Sequence, residues 1–376
     1  MQKRIARKPS SLNRALEPSS YSDEISSFIL IVVTALFGIG CVLLYSASYG
    51  DINPWVAKQL ITFVIFMPIA LLCGFIDPDL FYRHSYYIYV FCLTLLCLSD
   101  LMGHTAMGAQ RWIRLGGVAN FQPSELMKIA VILLSASYLH RLSYSMIKEW
   151  RHLASLFVLI TISTLMILKQ PNLGTATIIF LLSFSIMFCA GVDITKFAII
   201  GGLTAISAPL IWHYVLHEYQ KNRILNFLNP EDNLLSTGYN VMQSKIAIGS
   251  GGFFGKGFLS GTQGQLNFLP EKHTDFIFSI LAEEWGLLGV IMVLLLYTLL
   301  IILCYIVALG AKNTYGRLVS SGVASFFFIH LFINVGMISG LLPVVGIPLP
   351  FLSYGGSNLA VCLISVGLVL SVRRYR

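Results

Sequence analysis

An all-α integral membrane fold, a polytopic bundle of about ten transmembrane helices, follows from three observations on this sequence. Hydrophobic residues make up 56% of the 376 positions and charged residues only 11%, so water is not the main solvent of the chain. Mean hydropathy is +0.77. Apolar runs of roughly the 20 residues needed for a helical span recur from about residue 26 to the end.

The elements are expected in this order. Residues 1–25 are polar and basic and lack the apolar stretch and cleavage site of a secretory signal, so they read as a cytoplasmic tail and the first span as a retained anchor. Residues 26–376 read as a single multi-pass domain, with spans near 26–48, 56–75, 81–100, 122–140, 152–169, 172–190, 195–214, 274–308, 317–340 and 355–372. The eighth is longer than a bilayer needs, which predicts tilt or a protruding end. Most connections are short. Two are not: 101–121 and the large extracytoplasmic loop 215–273, and long connections tend to carry function.

The net charge of +8 raises nucleic acid as a partner, but the basic residues form no patch with interleaved aromatics, so none is expected. They sort by membrane side instead. Lys3, Arg4, Arg7, Lys8, Arg14, Arg83, Arg141, Lys148, Arg151, Lys196, Lys312, Arg317, Arg373, Arg374 and Arg376 fall in one set of segments, which predicts cytoplasmic N- and C-termini. Arg111, Arg114, Lys128, Lys221, Arg223, Lys245, Lys256 and Lys272 break that rule, and an anionic substrate would account for them. All seven cysteines lie in apolar spans and read as small core hydrophobes rather than disulfides or metal ligands.

Charges near spans are expensive, so each is a functional candidate. Arg111-Trp112-Ile113-Arg114 sets an indole and two guanidinium groups at an interface; Trp112 is by default a belt residue, and with Arg111 it suits a sugar-phosphate headgroup. Gln122-Pro123-Ser124-Glu125 opens a span, with Pro123 tolerated in the first turn, and Lys128 shares a helix face with Glu125. That pair reads equally as a phosphate-binding device and as a structural ion pair. Val241–Ile248 reads as a short interfacial helix with Gln243, Ser244 and Lys245 toward water. The run Gly249–Gly257 fails the Walker pattern and leaves a backbone nest for pyrophosphate or a plain re-entrant turn.

In Leu269–Phe278, Asp275 stands at the mouth of the eighth span, where a carboxylate within reach of a sugar hydroxyl can act as general base, tuned by His273 and Lys272. The commoner use of such a residue is the helix N-cap, and on spacing alone that reading stands ahead. Glu283 and Glu284, two turns further on, read first as partners for stray cations such as Lys128 or Lys169 and second as a route for a proton or cation. Pro343–Gly356 is stiff and uncharged and reads as a wall of the site.

Together Arg111-Trp112-Ile113, Gln122–Glu125, Lys169-Gln170-Pro171, Gly238–Lys245, Leu269–Phe278 with Glu283-Glu284, and Pro343–Gly356 resemble the SEDS family of bacterial cell-wall polymerases, nearest its rod-elongation branch. The resemblance covers nearly the whole chain after residue 25. It implies a peptidoglycan glycosyltransferase that joins lipid II into β-1,4-linked glycan on the outer face of the inner membrane, with undecaprenyl pyrophosphate as leaving group. It implies Asp275 as catalytic base, ahead of the cap reading. It maps the family's functional pair onto Glu125 and Lys128, and with Arg111, Trp112, Arg223, Gln243, Lys245, Glu271, His273 and Thr274 these make up the expected substrate-binding set. A divalent cation such as Mg2+ is compatible with this chemistry, although no ligand cluster in the sequence demands one. The implied partners are lipid II, the nascent glycan strand, a class B penicillin-binding transpeptidase and other elongation-complex membrane proteins. The chain departs from the family at Asn172, where an aspartate is common. A lipid II flippase and a non-catalytic scaffold are the competing functions; the outward clustering of charge disfavours the first, and the presence of candidate catalytic charges the second.

Overall fold

The computed structural model describes residues 19–102, 104–106, 109–115, 119–170, 172–214, 218–228, 237–266, 269 and 271–376. In order, the helices are α1 (Ser19–Ala47), α2 (Trp55–Phe75), α3 (Pro78–Met102), α4 (Pro123–His140), α5 (Tyr144–Ile147), α6 (Trp150–Lys169), α7 (Leu173–Cys189), α8 (Ile194–Tyr214), α9 (Glu218–Leu228), α10 (Thr237–Gly251), α11 (Thr262–Gln265), α12 (Ile277–Leu309), α13 (Thr314–Ile338) and α14 (Gly356–Arg374). Among the described residues seven helices, α1 to α3, α6 and α12 to α14, are long and apolar enough to cross a membrane. The predicted spans fall on these and on α4, α7 and α8.

Three local differences stand out. Residues 19–25, read as tail, already belong to α1, since a helix satisfies its own backbone on either side of a membrane boundary. The 101–121 connection contains three short antiparallel strands, β1 (His104–Ala106), β2 (Ala109–Leu115) and β3 (Ala119–Phe121), with Trp112 opposite His104 and Ile113 opposite Phe121. Of the cysteines, which are free, Cys97 is exposed rather than core.

The centre is set by burial. In the most apolar windows of α13 and α14, 78% and 89% of residues are buried, against 17% in α2, so α13 and α14 are central and α2 peripheral. Large apolar side chains such as Val64, Leu72, Leu203, Ile206 and Leu295 are exposed around the outside, as a lipid-facing surface requires. Association between helices in lipid relies on close packing and polar contacts, and both are present. A Cβ at Gly367 of α14 would stand 2.5 Å from the Ala70 carbonyl oxygen of α2. Gln170 donates to the Leu96 carbonyl and Ser99 hydroxyl at 2.8 and 3.0 Å, and Gln59 donates to the Ser353 carbonyl at 3.0 Å.

Helix α12 is broken near its start. Gly286 has φ 63° and ψ −159°, which removes the regular bonds from residues 287 and 288 to the carbonyls of 283 and 284. The glycine segment after α10 replaces them. Lys256 and Gly257 N–H donate to the Glu283 and Glu284 carbonyls at 2.9 and 3.0 Å, while Leu287 and Leu288 N–H donate to the Gly252 and Phe253 carbonyls at 3.0 and 3.2 Å. Nothing larger than glycine fits the contact: a Cβ at Gly255, where φ is +81°, would run into the Glu284 carbonyl. Gly255→Ala is expected to cost roughly 1–3 kcal/mol from backbone strain alone, and more with the clash. Gly249→Ala, at a site with nothing within 4 Å, is the matched control, and thermal unfolding in detergent separates the two.

Candidate active site

The turn before α12 is a rigid frame. Glu271 takes φ 56°, and its carbonyl accepts from Thr274 and Phe276 N–H at 3.1 and 3.4 Å. The Thr274 hydroxyl donates to the Glu271 carboxylate at 3.0 Å. Lys272 is buried, donates to the Gly264 carbonyl at 2.7 Å and lies 4.0 Å from the Tyr49 ring centroid. The His273 ring stacks on Trp55 with centroids 4.2 Å apart and planes 6° from parallel, while its carbonyl accepts from Tyr354 N–H at 2.8 Å.

Asp275 follows in this turn. The N-cap of α12 is Phe276, so the spacing-based cap assignment to Asp275 is corrected: the helix starts one residue too late for it. The carboxylate instead faces the Pro343–Gly356 wall, where a Cβ at Gly346 would stand 3.3 Å from Asp275 Oδ2. Asn334 of α13 fixes both sides of this contact, donating to the Asp275 carbonyl at 3.0 Å and the Ile347 carbonyl at 2.7 Å.

The Glu125–Lys128 pair forms as the spacing predicts, at 2.8 Å and almost fully buried, with Pro123 in the first turn of α4. Lys128 Nζ also lies 3.1 Å from His330 Nε2. His330 and Asn334 are four apart on α13, hence on one helix face, so α13 ties the ion pair to the Asp275 turn. The start of α7 closes the remaining side. A Cβ at Gly174 would stand 2.6 Å from the Val345 carbonyl, and Asn172 caps α7 by accepting from Thr175 N–H at 3.3 Å. The Asn172 amide also donates to the Ser124 hydroxyl at 3.3 Å, a bond an ionised aspartate cannot give.

The other predicted site residues lie on surrounding elements. Trp112 is on β2, half-buried, with its indole N–H buried and unbonded; of Arg111 only the backbone, also in β2, is described. Arg223 is half-buried on α9. Gln243 is half-buried and Lys245 exposed on α10, with the lysine against Gly340. Ser244, expected to face water, is fully buried and donates to the Ile338 carbonyl at 2.6 Å; α10 packs on α12 and α13, not only on an interface. Pro171 and Pro270 of the motif runs lie outside the described residues. Sequence reasoning missed His330 and Asn334, while Gly346 lies in the run read as the wall of the site. The available signal was a pair of polar residues at i and i+4 inside an otherwise apolar helix.

Burial holds the His273 imidazole below its ordinary pKa, with Lys272 adding to the shift and Glu271 opposing it. The ring is therefore neutral near pH 7 and poorly suited to donate a proton there. A group whose folded pKa is depressed binds fewer protons in the folded state, so its contribution to stability is lost as pH falls below the normal histidine range. His273→Phe, which keeps the ring stacked on Trp55, is expected to flatten this acid-side decline in Tm.

The FtsW/RodA/SpoVE family model of cell cycle proteins matches residues 26–376. The chain belongs to this family. Among relatives in the family, Escherichia coli K12 MrdB, named a peptidoglycan glycosyltransferase, is 40% identical over 348 residues, 93% of each chain. Trichlorobacter lovleyi FtsW, named a probable peptidoglycan glycosyltransferase, is 36% identical over 361 residues, 92% of each chain. A solved chain of a peptidoglycan synthase complex that coordinates polymerization and crosslinking superposes with TM-score 0.79 at 30% identity, covering 92% of this chain and 96% of that one. Thermus thermophilus RodA superposes with TM-score 0.68 at 29% identity, covering 92% and 95%.

Two further expectations about this family member are corrected by geometry. Glu283 and Glu284 do not pair with Lys128 or Lys169. Lys169 meets Asp100 at 2.7 Å, whereas buried Glu283 takes Lys256 at 2.7 Å, the Thr262 hydroxyl at 2.9 Å and Gln263 N–H at 3.1 Å. Glu284 accepts from Ser46. The glycine run is no pyrophosphate nest at Lys256 and Gly257, because those amides already serve the broken helix.

Proposed function

We propose that the chain is a peptidoglycan glycosyltransferase that polymerises lipid II during cell elongation, with Asp275 as general base. The observation that carries this is the Asp275 carboxylate set against Gly346, braced by Asn334 one turn of α13 from the buried Glu125–Lys128 pair. Asp275 takes the proton of the acceptor 4-hydroxyl while that oxygen attacks the anomeric carbon of the donor. The bond to undecaprenyl pyrophosphate breaks with its electron pair and the anomeric centre inverts. Negative charge then grows on the leaving group, and Lys128 supplies positive charge where water is scarce, with Arg111 and Arg223 as further cations of the binding set. Trp112, Gln243, Lys245, Glu271, His273 and Thr274 complete the binding set. Among the described residues no three His, Cys, Asp or Glu side chains gather to hold a metal ion. No step is routed through a divalent cation.

Relatives named glycosyltransferases and the synthase-complex neighbour support this reading and favour a class B transpeptidase and other elongation-complex proteins as partners. We place the protein in the bacterial inner membrane as a single domain of about ten spans, with both termini cytoplasmic and Asp275 on the outer face beneath the 215–273 loop. Purified protein, with its transpeptidase partner, is expected to turn labelled lipid II into glycan chains. A folded preparation that moves lipid II across vesicles without polymerising it would replace this reading with a flippase.

A further inference from the structure

His330 sits in the apolar interior of α13, fully buried. Its Nδ1 lies 2.9 Å from the Phe326 carbonyl oxygen. A carbonyl only accepts, so Nδ1 carries the proton, and in the neutral ring Nε2 keeps its lone pair. That lone pair is 3.1 Å from Lys128 Nζ. The ammonium has three N–H donors. One meets His330, while Glu125 Oε2 lies 2.8 Å from the nitrogen as an ion pair and the Phe326 ring centroid lies 5.4 Å from it.

We propose that His330 is a positioning residue for Lys128, taking one of its donors in a fixed direction while Glu125 pairs with its charge, so that a remaining donor addresses an anionic substrate oxygen. This rests on the function proposed above. The choice of imidazole has a chemical reason. A second carboxylate would hold the lysine as firmly but overcompensate its charge, whereas a neutral acceptor fixes the ammonium and leaves its charge available for the pyrophosphate. Phe326 serves twice, since its carbonyl sets the His330 tautomer and its ring lies beside the same nitrogen.

The test uses the full-length protein with lipid II. His330→Phe keeps ring volume and removes the acceptor; His330→Gln places an amide oxygen within similar reach. His330→Phe is expected to lower kcat about tenfold to a hundredfold, the worth of a hydrogen bond to a charged group, with a smaller change in KM. His330→Gln is expected to recover most of the loss. Because His330 acts through Lys128, adding His330→Phe to Lys128→Met is expected to change nothing further. Unchanged kinetics in His330→Phe, equal losses in Phe and Gln, or multiplicative losses in the double variant would each overturn the proposal. A second readout does not depend on turnover: the 15N signal of the Lys128 ammonium, assigned by its loss in Lys128→Met. It is expected to exchange protons slowly in the parent and fast in His330→Phe, restored in Gln. A parent without polymerase activity that shows this pattern would strike the proposed function and leave the positioning intact; the same fast exchange in parent and Phe variant would overturn the positioning.

Discussion

Asp275→Asn is expected to fold like the parent and to make glycan about a hundred to ten thousand times more slowly, the range general-base catalysis contributes. The substitution keeps size, replaces one acceptor oxygen by an NH2 donor, and removes the charge and basicity. Much of the frame is held by other groups: Asn334 bonds the Asp275 backbone carbonyl, and the turn is closed by Glu271 and Thr274. Thermal stability within a degree or two of the parent, together with lost polymerisation in a labelled lipid II assay, is the anticipated pair of results. Wild-type rates from a folded Asn variant would remove Asp275 from the chemistry.

Lys128→Met carries the second large effect, and it touches stability as well as rate. Removing one member of a buried ion pair strands the other, a change that costs about 3–5 kcal/mol. Glu125 would be the stranded group, at 7% side-chain exposure. Neutralising it as well, in Glu125→Gln/Lys128→Met, is expected to recover most of that stability, since a neutral pair of similar volume carries little desolvation penalty. Activity should stay low in the double variant because no cation remains beside the leaving group. Thermal unfolding and polymerisation measured on the same preparations distinguish this from a purely structural pair, for which rate would return with stability.

The sequence made the large outlines legible because they rest on local signals. Apolar run length locates spans, a proline before Ser124-Glu125 locates a helix start, and three-residue spacing pairs Glu125 with Lys128. What stayed hidden depends on contacts across long stretches of chain. His330 lies 202 positions from Lys128, and a lone histidine in an apolar helix reads as core. Lys256 and Glu283, 27 apart, could be matched only once the glycine segment was seen to fold back on α12. Asp275 itself was legible as a candidate, but its spacing favoured the cap, and the resemblance to the polymerase family reversed that order. In the structure the N-cap of α12 is Phe276, the residue after Asp275.

The exchange of backbone bonds around Gly286 bears on how the protein can move. Lifting the glycine segment from α12 would strip partners from four amides and four carbonyls, each costing about 1–3 kcal/mol if left buried and bare. Local fraying there is therefore closed off, although a broken helix beside a loop looks like a hinge. Slow amide exchange at Leu287 and Leu288 would mark this region as one cooperative unit. Any motion that admits a lipid-linked sugar or passes on a finished strand has to carry the upper part of α12 and the glycine segment as one rigid piece, with Asp275 travelling at its tip.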